Sequence, residues 1–232
     1  MAQTLAEKII ARAAGKTSVT PGEIVTCQVD LAMIHDSGGP RRVKPQMEAL
    51  GASLWDPSKI VLVSDHFAPC TDLESANILK MTREWAAENG VINFYDQQGI
   101  CHVVTPERGH LRPGMFAVGG DSHSPTGGAF GAYMFGIGAT DMLGVLVTGE
   151  TWVRVPETIR IIWSGELCPG VEDPGSLGLH EARDGHREPV VLVARARAEL
   201  GPAAKALGEL GLQEARHRAA DSLVAALAIA RI

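Results

Sequence analysis

The apolar residues of this chain recur with helical spacing in some segments and as alternating or uninterrupted runs in others. This spacing predicts an amphipathic helix near the N-terminus that ends at Gly15, and a second helix over residues 72–89 that Asp72 caps. Residues 130–146 are also predicted to be helical despite their glycines. The alternating and uninterrupted apolar runs predict strands at residues 22–33, 60–63, 91–95, 116–118 and 159–163.

Strands that alternate with helices in this way are typical of the α/β class. We predict a three-layer α/β/α sandwich with a mostly parallel sheet over residues 1–170. Polar residues follow three of the predicted strands: Asp65 with His66, then His102, and then the Asp-Ser-His run that begins at Asp121. Because reactive groups in such folds gather beyond the carboxyl ends of the strands, we expect these segments to meet in one crevice.

The composition of the chain changes after about residue 170. Residues 171–232 are rich in Ala, Arg, Leu, Gly and Glu and contain no aromatic residue, although the chain has 5 Phe, 4 Trp and 2 Tyr. One explanation is a genuine C-terminus that folds as covering helices, for example over residues 215–232. The other is a shift of reading frame in a GC-rich gene, which translation of the other frames beyond Cys168 would reveal.

Composition and charge narrow the class of protein. Apolar residues make up 45% of the chain and charged residues 21%, which is typical of soluble globular proteins. The net charge of −6 speaks against a nucleic-acid or anionic-membrane surface, and no apolar run reaches the roughly 18 residues of a bilayer span. The N-terminus lacks a secretory signal pattern, so we expect a cytoplasmic protein. Free thiols in a reducing compartment, rather than a zinc site, are expected from the wide spacing of Cys27, Cys70, Cys101 and Cys168.

The glycine-rich run over residues 119–149 carries the most chemistry in the sequence. Its glycines let the backbone approach a ligand closely, and backbone N–H groups before a helix favour an anion. Asp121, Ser122 and His123 add a hydrogen-bond acceptor, a hydroxyl group and a titratable imidazole. These groups together suit a polyanionic small molecule whose reaction moves a proton.

Four ordered motifs resemble the aconitase and isopropylmalate dehydratase family. The run DSHSPTGGAFGAYMFGIGATD at residues 121–141 resembles the family signature, with VSDH at 63–66 and GICHV at 99–103 before it and TWVRVPE at 151–157 after it. The resemblance covers about residues 1–168. It is stronger to the separate large subunits of isopropylmalate dehydratase, homoaconitase and dimethylmaleate hydratase than to single-chain aconitase.

The resemblance implies a hydro-lyase, of the kind used in leucine biosynthesis, that removes water from a hydroxy dicarboxylic acid and returns it. A 4Fe–4S cluster is the implied Lewis acid, and three cysteines hold it in segments of the type Ser-Cys-Thr-Asn and Cys-Gly-Pro-Cys, which this sequence does not contain. The catalytic serine of the family lies on a separate small subunit, which is the implied partner. We therefore expect this chain to be inactive by itself.

Two carboxylate–imidazole pairs are implied by the same motifs. In the first, Asp65 orients His66, and His66 protonates the leaving hydroxyl group because hydroxide is a poor leaving group. In the second, Asp121 fixes the tautomer of His102 and raises its basicity. The residues alone leave two alternatives open: a strand-ending turn for the first pair, and a buried histidine bonded to backbone for the second.

Three further residues of the glycine-rich run are implied to lie at the substrate. His123 would lie near the substrate hydroxyl group, and Ser122 would contact a substrate carboxylate. The citrate-type enzymes often have Asn where this chain has Thr126, which indicates a substrate other than citrate. No residue is predicted to bind a metal. The basic residues at positions 41, 42 and 44 are predicted to lie in a solvated loop, and the pair at residues 35–36 to be structural or at the pocket rim.

Two other functions stay open at the level of sequence. One is a non-catalytic domain or fragment that binds a dicarboxylate or a partner subunit. The other is a mononuclear metal hydro-lyase or hydrolase built from His66, His102 and His123 with the aspartates, which the resemblance disfavours because it gives these side chains to proton transfer. Isopropylmalate, homocitrate, citramalate and dimethylmalate are the candidate substrates.

Overall fold

A computed structural model describes residues 3–160 and 191–192 of the 232-residue chain. The helices are α1 (Leu5–Ala13), α2 (Pro40–Leu50), α3 (Leu73–Glu88), α4 (Cys101–Glu107) and α5 (Ala139–Thr148). The strands are β1 (Ile24–Gln28), β2 (Leu31–His35), β3 (Ile60–Ser64), β4 (Asn93–Asp96), β5 (Phe116–Gly119), β6 (Tyr133–Gly136), β7 (Glu150–Arg154), β8 (Ile159–Arg160) and β9 (Val191–Leu192). Short 3₁₀ helices cover Pro57–Lys59 and Ser124–Phe130.

The central sheet has five parallel strands in the order β4-β3-β2-β5-β6. The chain begins this sheet at β2, adds β3 and β4 on one side, and then adds β5 and β6 on the other. The boundary between β2 and β5 is therefore a topological switch point, where open α/β sheets bind ligands beyond the carboxyl ends of their strands. The antiparallel pairs β1–β7 and β8–β9 are separate from this sheet.

Apolar side chains are buried against both faces of the sheet. On one face, residues such as Ile34 and Leu62 pack in a core that includes side chains of α1, α2, α3 and α5. On the other face, residues such as Met33 and Val61 pack against Cys101 and Val104 of α4. Burial on both faces explains the uninterrupted apolar run of β3. The predicted α/β fold with helices around a parallel sheet is thus confirmed.

Two predicted helices are confirmed, and so is the predicted cap of the second, Asp72. Helix α1 begins with a capping box, in which Thr4 and Glu7 each accept a hydrogen bond from the backbone of the other. Asp72 caps α3 by accepting a hydrogen bond of 2.7 Å from the backbone N–H of Ser75. Within the described residues, no helix is long and apolar enough to cross a bilayer.

The single strand predicted over residues 22–33 is wrong, because this segment forms two strands of different sheets. Strand β1 pairs with β7, whereas β2 is the middle strand of the parallel sheet. The chain changes direction at Val29 and Asp30, whose N–H groups donate to the carbonyl groups of Gly149 and Phe116. Alternating apolar residues continue across the break, so the sequence pattern does not reveal it.

The helix predicted over residues 130–146 is also wrong in its first half. Residues Tyr133–Gly136 form β6, and α5 begins only at Ala139. Gly131, with φ of +72°, ends the preceding 3₁₀ helix, because this left-handed conformation costs glycine least. The aromatic residues at positions 133 and 135 suit a strand that pairs with β5.

Other predictions have mixed outcomes. The basic residues at positions 41, 42 and 44 lie in α2 rather than in a loop, and Lys44 pairs there with Glu88. The predicted strand at residues 159–163 is described only for β8, at Ile159–Arg160. The predicted domain boundary near residue 170 and the helix proposed over residues 215–232 lie outside the described residues.

A close backbone approach fixes the end of β6 beside the segment that follows β5. A β-carbon at Gly136 would overlap the carbonyl oxygen of Asp121 and lie 2.9 Å from its carbonyl carbon. We expect Gly136→Ala to lower the free energy of unfolding by about 1–3 kcal/mol, because one backbone segment must move. Urea unfolding monitored by circular dichroism measures this change.

Gly144→Ala is the matched control, since Gly144 lies on the exposed side of α5 and its β-carbon would meet nothing within 4 Å. Alanine favours a helix over glycine, so this variant should gain up to about 1 kcal/mol. Equal effects of the two substitutions would contradict the close approach at Gly136.

Candidate active site

The polar residues beyond β2, β3 and β5 lie at one edge of the parallel sheet. His35 ends β2, Ser64 ends β3 and Gly119 ends β5, so the residues that follow these strands meet at the switch point. His102 reaches the same edge differently. The sequence predicted that His102 directly follows a strand, but it is the second residue of α4. Residues 97–100 separate this helix from β4.

Asp65 and His66 form the first carboxylate–imidazole pair. His66 Nδ1–H donates to Asp65 Oδ1 over 2.6 Å, and Asp65 Oδ2 accepts a 2.7 Å hydrogen bond from the backbone N–H of Cys101. Burial opposes ionisation of Asp65, but these two donors stabilise its charge and hold its pKa below the ordinary value. An ionised Asp65 that holds Nδ1–H leaves Nε2 of His66 as the nitrogen that exchanges a proton. The pairing is present, and its catalytic role stays a prediction.

His102 and Asp121 form the second pair. His102 Nε2–H donates to Asp121 Oδ2 over 2.9 Å. The other oxygen, Oδ1, accepts hydrogen bonds from the backbone N–H of His123 at 3.0 Å and from the hydroxyl group of Ser124 at 3.2 Å. Burial opposes ionisation of Asp121, but the hydrogen bond and charge of His102 and the backbone N–H of His123 hold its pKa well below the ordinary value.

The two pairs belong to one cluster. The first turn of α4 joins them, because Cys101 donates its N–H to Asp65 while the next residue, His102, bonds Asp121. A polar side-chain atom of each of His35, His66 and Asp121 lies within 4.8 Å of the others. The structure therefore brings together the residues that the sequence predicted to meet in one crevice.

The residues at positions 35 and 36 lie beneath the first pair rather than at a rim. The carboxylate of Asp36 is completely buried and accepts 3.1 Å hydrogen bonds from the backbone N–H groups of His66 and Phe67. The ring of His35 stacks on the ring of His66, with 4.0 Å between the centroids and 12° between the planes. The sequence carries a signal for this role, because His35 and Asp36 lie at the end of β2 as Asp65 and His66 lie at the end of β3.

The remaining predicted residues lie on the solvent side. The ring of His123 is 67% exposed and 5.9 Å from the ring of His102. Thr126 lies in the 3₁₀ helix and donates its backbone N–H to the carbonyl oxygen of His123. A cleft of about 390 Å³, in the size range of small-molecule sites, opens beside β6. The cleft is lined by Asp121, Ser122, Pro125, Phe135, Gly136 and Ile137.

The described cysteines do not suit an iron–sulfur cluster, whose ligands are thiolates. Cys27 is buried in β1, and burial raises the pKa of its thiol to about 11. Burial and the nearby charge of Asp65 also raise the pKa of the Cys101 thiol, while Cys70 is exposed on the loop before α3. Cys168 lies outside the described residues.

Three groups of side chains in the described part of the chain have potential metal-ligand atoms within 4.8 Å of one another. The groups are His35 with His66 and Asp121, Cys101 with His102 and Asp121, and Asp36 with Asp65 and His66. Each contains a carboxylate that already accepts hydrogen bonds. In the first group the two imidazole rings face each other almost in parallel, so their lone pairs do not converge on one point. The set of His66, His102 and His123, which the alternative of a mononuclear metal enzyme requires, is not among these three groups.

The charge of Asp121 should make stability depend on pH. A carboxyl group whose pKa is lowered by folding adds stability above its ordinary pKa of 3.8 and loses it as the pH falls below that value. We therefore expect Asp121→Asn to be less stable than the wild type near neutral pH, and to lose less stability between about pH 5 and about pH 3.

Urea unfolding at several pH values tests this expectation. Asp141→Asn, on the exposed side of α5, is the control and should retain the pH dependence of the wild type. An Asp121→Asn curve that runs parallel to the wild-type curve would show that this carboxylate is not stabilised in the fold.

The sequence of this chain matches the family model described as the aconitase family (aconitate hydratase) over residues 7–173. It is 49% identical to 3-isopropylmalate dehydratase large subunit 1 of Methanopyrus kandleri over 173 residues, which are 74% of this chain and 41% of the relative. It is also 49% identical to a probable methanogen homoaconitase large subunit of Methanothermobacter thermautotrophicus. This match spans 167 residues, which are 70% of this chain and 39% of the relative.

A bacterial relative gives the same picture. The large subunit of 3-isopropylmalate dehydratase from Aquifex aeolicus is 43% identical over 173 residues, which are 74% of this chain and 40% of the relative. The matched region thus spans about two fifths of the length of these curated relatives. Since the family model covers most of the chain, and the described part has an α/β fold with a parallel sheet, the chain belongs to the aconitase family.

Proposed function

We propose that this chain supplies the N-terminal part of the large subunit of a hydro-lyase that dehydrates and rehydrates a hydroxy dicarboxylic acid. The observation that carries the proposal is the 2.6 Å hydrogen bond between Asp65 and His66 at the switch point of the sheet, beside the His102–Asp121 pair. A dehydration needs a group that gives a proton to a leaving hydroxyl, and an imidazole held by a carboxylate suits this task. The names of the similar large subunits support the same reaction class.

His66 is the proposed general acid. In the forward direction the C–O bond of the substrate breaks, the oxygen takes the proton from His66 Nε2, and water leaves. His66 becomes neutral, and in the reverse reaction its Nε2 takes a proton from the water whose oxygen forms the new C–O bond. Asp65 keeps the ring oriented through its hydrogen bond with Nδ1. The proton on the neighbouring carbon goes to a base that the resemblance places on a small subunit.

The second pair is proposed to bind and orient the substrate. Asp121 accepts a hydrogen bond from His102 Nε2 and so fixes the orientation of this ring at the edge where we place a substrate carboxylate. Ser122 lines the cleft next to Asp121, and its hydroxyl group is suited to the same carboxylate. His123 is exposed at this edge, where it could contact the substrate hydroxyl group. In a chain of net charge −6, imidazole N–H groups at this edge are suited to donate hydrogen bonds to a dianion.

The family implies a 4Fe–4S cluster, but the described cysteines do not fit it. We propose that the cluster ligands belong to the part of a full large subunit that lies beyond the matched region. The names of the relatives as large subunits also support a small subunit as the partner. Isopropylmalate is the preferred substrate of the proposal and homocitrate the second choice, after the names of two relatives.

The 232-residue chain should be inactive alone. After reconstitution with iron and sulfide, we expect no dehydration of isopropylmalate above the rate without protein, because the chain lacks the implied cluster segments and the serine base. An assay of the absorbance of the unsaturated product tests this. Turnover by the isolated chain would refute the proposal that the cluster ligands and the catalytic base lie outside this chain. A shift in melting temperature with isopropylmalate but no turnover is the result expected of a binding-competent half-site.

A chimera tests the catalytic roles directly. Residues 3–160 of this chain would replace the matching region of the Methanopyrus kandleri large subunit, assembled with its small subunit. We expect the chimera to dehydrate isopropylmalate, and His66→Asn to lower kcat by about 10²–10⁴-fold, because general acid catalysis is lost.

His110→Asn is the matched control in the chimera, since His110 bonds the hydroxyl group of Tyr95 and belongs to neither pair. It should leave kcat within a few-fold of the parent, an effect of less than about 1.4 kcal/mol on the barrier. A folded, cluster-loaded chimera that dehydrates neither isopropylmalate nor homocitrate would contradict the proposed function.

A further inference from the structure

His35 is held in a closely fitting space at the end of β2. The side chain is 3% exposed, and one face of its ring stacks on His66. A β-carbon at Gly38 would lie 3.2 Å from Cε1 of His35, and a β-carbon at Gly120 would lie 3.3 Å from its Nε2. These glycines have ordinary backbone conformations, so what they provide here is space for the imidazole.

The hydrogen bonds of His35 are few. Its Nδ1 shares a 2.9 Å hydrogen bond with the hydroxyl group of Ser37. Its Nε2 is buried beside the backbone of Gly120 and makes no hydrogen bond of good geometry within the described chain. A buried polar atom without a partner destabilises the fold, so packing alone does not explain why an imidazole fills this space.

The surroundings of His35 favour the neutral form of its ring, and burial is the main cause. Burial lowers the pKa of His35, and the neighbouring charge of His66 lowers it further, against the opposing influence of Asp121 and Asp65. Asp36, on the same strand end, is committed to the backbone N–H groups of His66 and Phe67.

We propose that His35 is a positioning residue whose stacked ring fixes the plane of His66, so that Nδ1 stays on Asp65 and Nε2 remains available. His66 needs such support because its side chain is 38% exposed, and an exposed imidazole turns easily to bond water. Asp36 holds the backbone of His66, Asp65 holds one edge of its ring, and His35 holds the face. The three contacts come from different atoms and together allow the ring one orientation.

The tautomer of His66 reports this positioning. Long-range ¹H–¹⁵N spectra of the ¹⁵N-labelled 232-residue protein near neutral pH should show His66 as the Nδ1–H tautomer alone, with His66→Gln identifying its signals. His35→Phe keeps a flat ring and should keep the single tautomer. His35→Leu fills the space without a flat face and should give a mixture of both tautomers at comparable populations.

Two more variants separate the stack from the hydrogen bond. His35→Gln keeps a polar group for Ser37 without a ring, so it should behave like His35→Leu and serves if the leucine variant does not fold. Ser37→Ala removes the hydrogen bond and keeps the stack, so it should leave the spectrum of His66 unchanged. The proposal is overturned if the ringless variants keep the single tautomer, if His35→Phe loses it, or if Ser37→Ala disturbs it.

The use of a positioned His66 in catalysis rests on the proposed function, whereas its tautomer does not. A chimera without dehydratase activity would refute the function and leave the spectra of the His35 variants unaffected. Unchanged spectra in the ringless variants would refute the positioning role and leave the activity of the chimera intact.

Discussion

Parallel pairing of β2 with both β3 and β5 is the constraint on which the site depends. The register that aligns Ile34 with Leu62 and Ala32 with Val118 brings three strand ends to the same edge of the sheet. Apolar residues cover both faces of these strands, so the pairing is buried and the strand ends do not slide. The polar residues that follow these strands then meet at the switch point, because the pairing of the strands alone brings them together.

Hydrogen bonds of three carboxylates fix the relative positions of the segments that follow β2, β3 and β5. Asp36 ties the end of β2 to the backbone that follows β3, and Asp65 ties the end of β3 to the first turn of α4. Asp121 ties the end of β5 to His102 of the same helix. Each of these carboxylates accepts hydrogen bonds from a neighbouring segment, which avoids the cost of an unpaired charge at the buried Asp36 and the partly buried Asp65 and Asp121. The hydrogen bonds of Asp65 and Asp121 thus orient the rings of His66 and His102 within the fold itself.

The described part of the chain holds the proposed proton-transfer and substrate-binding groups but no suitable cluster ligands. Burial disfavours the thiolate form of Cys27 and Cys101, and the third described cysteine, Cys70, is exposed and remote in sequence from both. This fits the two-fifths coverage of the relatives, because a large subunit of their length has room for a separate cluster-binding region. In the proposed function the Lewis acid and the proton donor therefore come from different parts of one assembly.

The sequence by itself determined the α/β class, the ends of α1 and α3, and the residues of both carboxylate–imidazole pairs, because helical spacing, capping residues and local motifs encode them. It did not reveal the break at Val29, since β1 and β2 share one alternating pattern but pair with different partners. It missed β6 because the strand depends on pairing with β5. Only the tertiary structure decided that His35 lies beneath His66, because strand order, and not distance along the chain, brings these rings together.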